Sequence, residues 1–330
     1  MNSLGECIVS EVFSQTLIQM VRIFALILLG YFFGKKKILP DTSASVISQL
    51  ITKLLLPMLT LYTFMINCSV EALKQNYSLI LYGAVFLGLA IALGYLLCDK
   101  LAGEKQAFAN VLRYAIAIPN TGAFLTPIVL AFYGTEGYFF MSLCLFSMTI
   151  MCYSWGIVQL IPTNNRDGSS SKEKRAELIK RIFNPTVAAM LIGMILGLCG
   201  AKQWMPQVIT DTVKGLGDCY TLMALIVIGL NIADYSLRDM LPDKTTFWFI
   251  GIRMLFMPIA FLLLMKVFHA PYFACFFAAA AYACPCGMNA IVYPLAYGQD
   301  CRYACTLVLA SSMVSILTIP LIYTAARFLL

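Results

Sequence analysis

"AIAIPNTGAFLTPIVLAFYG" (residues 115–134) and "AYACPCGMNAIVYPLAYG" (residues 281–298) carry one pattern twice. Each has a proline (Pro119; Pro285) with a glycine within three residues (Gly122; Gly287). A second proline follows (Pro127; Pro294), and each ends on a similar string, LAFYG or LAYG. Proline removes a helix donor and crowds the preceding turn, and a nearby glycine lets the break open. Both apolar runs are therefore expected to be interrupted helices. Broken backbone inside a membrane is tolerated only within protein or beside water, and paired interruptions mark transporter sites.

The rest of the chain gives these runs their setting. Its 330 residues are 61% hydrophobic and 12% charged, roughly half the usual charge fraction of a soluble domain. Apolar stretches long enough to span a bilayer recur along its length. Ten spans are predicted: 15–33, 46–65, 77–98, 109–132, 138–161, 185–201, 215–232, 246–268, 273–297 and 304–327. The fold class is an all-α polytopic membrane protein.

The polar segment from Pro162 to Arg181 divides the spans into five and five. This predicts a first repeat over 1–161, a cytoplasmic linker over 162–184 and a second repeat over 185–330. An odd number of spans per half makes the second enter the membrane in the opposite sense, the arithmetic of an inverted repeat. The two quoted stretches then fall in the fourth and ninth spans, offset by about 166 residues.

Lys and Arg set the orientation. With the N-terminus outside, inner connections hold 15 of them against 5 near outer ones, so the positive-inside rule places both termini outside the cell membrane. The net charge of +7 reflects this asymmetry and not a nucleic-acid partner. The first span follows Glu6 and Glu11 instead of a basic stretch, and it is expected to be retained as a helix.

Cys284-Pro285-Cys286 invites a copper reading, because Cu(I) prefers thiolates. Its counterpart in the first repeat, Ile118-Pro119-Asn120, has no thiol. The shared element is the break, and no metal site or cofactor is expected. The twelve cysteines lack the spacing of a disulfide framework and read as reduced packing residues.

At these residues the chain resembles the auxin efflux carrier family, the plant PIN carriers and bacterial relatives that move organic acids. Pro119-Asn120-Thr121 with Pro127 is similar to that family's fourth helix. Pro285, Gly287, Asn289 and Ala296-Tyr297-Gly298 are similar to the bacterial form of its ninth. Pro57, Asn184-Pro185 and Met223–Gly229 also fit. The resemblance implies ten helices, two of them broken and crossing near the midplane, and a homodimer working by an elevator-like movement. Cys286 stands where plant carriers have Gln, and their long cytoplasmic loop is missing, so the resemblance points to a carboxylate carrier and not to auxin.

Half-helices are expected to start near Thr121 and Gly287. Helix N-termini offer unpaired N–H groups and about half a positive charge, which attract anions. Asn120 and Asn289 add amide donors and Thr121 a hydroxyl; both asparagines could equally cap the broken backbone. The expected substrate site is Asn120, Thr121, Gly122, Gly287 and Asn289, framed by Pro119, Pro127, Pro285 and Pro294.

All sixteen carboxylates fall at predicted ends or loops. This argues against a proton relay or a carboxylate cation site, while sodium coupling through carbonyls and hydroxyls stays open. Arg22, Lys53 and Arg253 lie within spans and are expected either to snorkel to an interface or to guide an anion. His269, the only histidine, sits at an outer end, so zinc or Ser–His catalysis lacks its parts and no enzyme is expected. The sequence thus predicts a secondary transporter of small organic anions acting by electrogenic export or uniport. A sodium-coupled symporter and a ligand-binding sensor are the alternatives.

Overall fold

The structure is a computed structural model that describes residues 21–22, 25–40, 42–102, 106–160, 184–233, 244–296 and 302–329. The expected linker lies outside these residues except for Asn184, and so does the start of the first expected span. The described residues are almost entirely helical. We label the helices α1 (Ala25–Lys35), α2 (Ser43–Asn67), α3 (Val70–Ala102), α4 (Gln106–Ala117), α5 (Thr121–Cys144) and α6 (Phe146–Leu160). After residue 183 come α7 (Pro185–Leu198), α8 (Gln207–Ala233), α9 (Lys244–Val267), α10 (Tyr272–Ala283), α11 (Asn289–Ala296) and α12 (Arg302–Leu329).

Among the described residues four helices are long and apolar enough to cross a membrane: Ser43–Asn67, Val70–Cys98, Gln207–Leu230 and Lys244–Val267. Two bent pairs, α5 with α6 at 57° and the two arms of α12 at 51°, raise the number to six. Length alone therefore gives four to six spans, short of the ten expected. Three apolar helices are too short to count, and one of them, α10, is cut off by the break at Cys284.

Three helices absorb a proline in the same way. Ile51–Leu55, Thr121–Leu125 and Gly251–Phe256 are π-helical, and Pro57, Pro127 and Pro258 each follow two residues after the wide turn ends. A proline ring crowds the carbonyl four residues back, and widening that turn relieves the clash. Gly134 is a sharper punctuation. Its φ of 61° and ψ of −158° lie where glycine alone is at ease, and they divide α5 into two helical pieces. The sequence placed a span boundary at this point.

The helices pack in two groups. In one, α2 lies against α7 and α8. Helix α1 joins it at a contact so close that a Cβ on Gly229 would sit 2.0 Å from the Ile27 carbonyl oxygen. In the other, α3 packs on α4, α9 on α10, and α10 on α12. Helix α5 touches both groups, meeting α2 and α8 on one side and α3 and α10 on the other. Each group thus mixes helices from before and after the 161–183 segment.

Candidate functional site

Helix α4 stops at Ala117 and α10 at Ala283, and the two interruptions meet. Pro119 lies opposite Cys286 in an isolated antiparallel bridge. The Asn120 N–H donates to the Pro285 carbonyl at 2.8 Å, and the Gly287 N–H donates to the Ile118 carbonyl at 3.0 Å. These bonds flank the Pro119–Cys286 pair, which is therefore of the non-hydrogen-bonded kind. At such a position a backbone N–H points away from the partner strand, so proline's missing donor costs the pairing nothing. The outward N–H of Cys286 reaches Ser311 Oγ at 3.3 Å.

The remaining carbonyls of the second break also find partners. Ala283 accepts from Thr318 Oγ1 at 2.9 Å, and Ala280 accepts from Cys284 Sγ at 3.3 Å. Cys284 and Pro285 accept from the Nη1 and Nη2 of Arg253, the second at 3.1 Å. On the first break, Tyr282 donates to the Ala117 carbonyl at 3.5 Å. The segment is buried, with Ile118 at 3% and Cys284 and Cys286 at 0% exposure, and backbone at that depth has to be hydrogen-bonded.

Of the two roles expected for Arg253, the structure removes one. Arg253 does not snorkel: it is fully buried, and the wide turn ahead of Pro258 carries it to the break. Lys53 does stay exposed and donates to Gln49 Oε1, and Arg22 is exposed as well. Only one signal could have singled Arg253 out, namely that a charge in mid-span is a functional candidate by default. Ser311 and Thr318 gave no signal, being small hydroxyls on an apolar helix.

A cavity of about 210 Å³ opens on the crossover, between α2 and α7 on one side and α5 and α6 on the other. Thr121 and Gly122 line it from the start of α5, with Thr126, Tyr138, Ser142 and Thr149 beyond. Thr60 on α2 and Asn184 and Thr186 at the start of α7 face them. A hydrogen bond of 3.0 Å between Thr60 Oγ1 and Tyr138 Oη joins α2 to α5 across it. The first N–H groups of a helix have no intrahelical partner, so Thr121 and Gly122 bring donors as well as a hydroxyl. Nothing lies within 4 Å of where a Gly122 Cβ would stand, and its carbonyl is held by Tyr220 Oη.

The structure places the other expected residues differently. Asn120 caps α5: its Oδ1 accepts from the Ala123 N–H at 3.4 Å. The Gly287 N–H is taken by the pairing, and a Cβ there would meet Tyr114 Oη at 3.0 Å, so its role is close approach. The second half-helix starts at Asn289 instead of Gly287. Asn289 does not line the cavity, but its Nδ2 reaches Cys152 Sγ at 3.5 Å, and Cys152 does line it. Pro127 and Pro294 sit inside the helices that follow the breaks, so Pro119 and Pro285 alone stand in the interruptions. The thiols of Cys284 and Cys286 are turned to the Ala280 carbonyl and to Ser311 Oγ respectively.

Comparison with known families gives a match over residues 15–323 to the family described as membrane transport protein. No curated protein matches the chain.

Proposed function

The chain belongs to the membrane transport protein family, that of the auxin efflux carriers, and from that premise we propose that it carries small organic anions. The family is one of transporters and not of enzymes. The observation that carries the proposal is the buried meeting of two helix breaks, beside a cavity lined by Thr121 and Gly122 at a helix start. Donors and hydroxyls dominate the polar lining, and no carboxylate among the described residues lines it. Such a site favours a mono- or dicarboxylate over a cation.

The ten-span inverted repeat of the sequence reading fits the mixed helix groups and is part of the proposal. So is an elevator-like movement. The cavity lies between α2 with α7 and α5 with α6, and the Thr60–Tyr138 bond across it is of the kind that breaks as one pair slides along the other. In the cell membrane, with both termini outside and as a homodimer, the carrier would move net negative charge. An inside-negative potential would then drive export by about 2.3 kcal/mol per 100 mV for each charge.

The test is reconstitution. Purified protein in proteoliposomes should give uptake of a small carboxylate and a substrate-dependent current on a supported membrane. Binding without flux would make the protein a sensor, and silent, electroneutral movement of a monoanion would remove the uniport form.

A further inference from the structure

Arg253 holds a position that calls for its own account. It is 0% exposed near the middle of α9, and among the described residues no carboxylate pairs with it. Its two terminal nitrogens both go to carbonyls at the end of α10, its Nε has no partner, and Phe249 lies 5.9 Å from its guanidinium. A helix C-terminus carries about half a negative charge, and unwound carbonyls at such an end are where secondary transporters coordinate a cation. Here a tethered guanidinium stands on those carbonyls.

We propose that Arg253 is the resident cation of the crossover, a positioning residue for the anion site. The reading rests on the transport function proposed above. The Pro285 carbonyl accepts from Arg253 Nη2 on one side and from the Asn120 N–H on the other. Arg253 therefore fixes the oxygen that fixes Asn120, and Asn120 caps the helix whose first residues line the cavity. The guanidinium also cancels the negative helix end, so a bound anion meets a net positive crossover without any co-bound ion. Arginine suits the place better than lysine, because its planar fork spans two adjacent carbonyls and stays charged when buried.

The test uses the full chain with Arg253→Lys, Arg253→Gln and Arg253→Ala. One readout needs no substrate: alkylation of Cys284 and Cys286 by N-ethylmaleimide in folded protein, located by peptide mass spectrometry. Both thiols are fully buried, so the wild type should react slowly. Arg253→Ala should speed their alkylation by on the order of tenfold. Sodium chloride, compared with N-methylglucamine chloride, should slow it again by occupying the vacated carbonyls, while leaving the wild type unchanged. The second readout is carboxylate uptake. Arg253→Gln, which keeps donors but no charge, should protect the thiols yet raise KM on the order of tenfold, whereas Arg253→Lys should keep KM within about threefold. If Arg253→Ala fails to fold, the Lys and Gln variants carry the comparison.

Three results would overturn the proposal: a folded Arg253→Ala with wild-type thiol protection, Arg253→Gln with a wild-type KM, or sodium-sensitive alkylation in the wild type. A protein that takes up no carboxylate fails the transport reading instead, and the thiol arm still reports whether Arg253 holds the break.

Discussion

Asn120 is the place to separate scaffolding from recognition, because its side chain has two ends with two uses. Its Oδ1 caps α5 through the Ala123 N–H, and its Nδ2 is the amide donor that the sequence predicts for an anion, next to Thr121 and Gly122 on the cavity wall. Asn120→Asp keeps a capping oxygen and adds a charge that a helix N-terminus favours by about 0.3–1 kcal/mol, so folding stability should hold or rise slightly. Binding should collapse. Losing a donor to a charged group costs about 1.5–3 kcal/mol. A carboxylate ~5 Å from the anion adds about 3 kcal/mol of repulsion at an effective dielectric near 20. Together these give about 5 kcal/mol, on the order of several thousandfold in affinity. Asn120→Ala should instead lose about 1 kcal/mol of stability with its cap, and roughly 10- to 150-fold in affinity. Thermal unfolding and calorimetric titration of the same samples read the two effects separately. If Asn120→Ala binds as well as wild type while unfolding earlier, Asn120 is a cap and nothing more. If Asn120→Asp binds normally, the anion sits elsewhere.

The other predictions test the surroundings of that residue. Replacing Cys284 and Cys286 together by Ala should preserve flux; loss of flux along with a stoichiometric Cu(I) site would revive the metal reading. Thr318→Val strips the Ala283 carbonyl of its side-chain donor in a buried setting, which should cost about 1–3 kcal/mol in unfolding measurements with little change in substrate affinity. Asn289→Ala should weaken binding whereas Cys152→Ser should not, since a hydroxyl accepts the same amide; equal losses in titration would mean the thiol itself is needed. Single cysteines at Ser170 and Gln75 in a Cys-depleted background should label from opposite faces of the membrane, and external labelling of Ser170→Cys in intact cells would reverse the orientation.

The breaks themselves were legible because their cause is local. Pro119 and Pro285 with their glycines forbid a continuous helix whatever surrounds them, and the structure ends α4 and α10 beside them. Pro127 and Pro294 look the same in sequence but were absorbed within helices, the first through a wide turn that no residue pattern announces. Gly287 was chosen for a free N–H and turned out to be needed for its lack of a side chain, since which N–H groups the crossing consumes depends on register. Arg253 was left between snorkelling and guiding an anion because the sequence does not say which face of α9 meets the break. The local chemistry of a chain can be read along it, whereas the partners that satisfy that chemistry come from 30 to 170 positions away.

The bonds between Ile118–Asn120 and Pro285–Gly287 also bear on how the protein is made. A ribosome that has released the first 160 residues has produced a helix break whose Asn120 N–H and Ile118 carbonyl have no partner until Pro285 and Gly287 are synthesised. The segment around Pro119 cannot reach its final form when it enters the bilayer. It must wait, hydrated or shielded by the insertion machinery, because a bare donor and acceptor in lipid cost several kcal/mol each. The late helices therefore complete an early one, and a nascent chain arrested before residue 285 should be the form that quality-control proteases recognise.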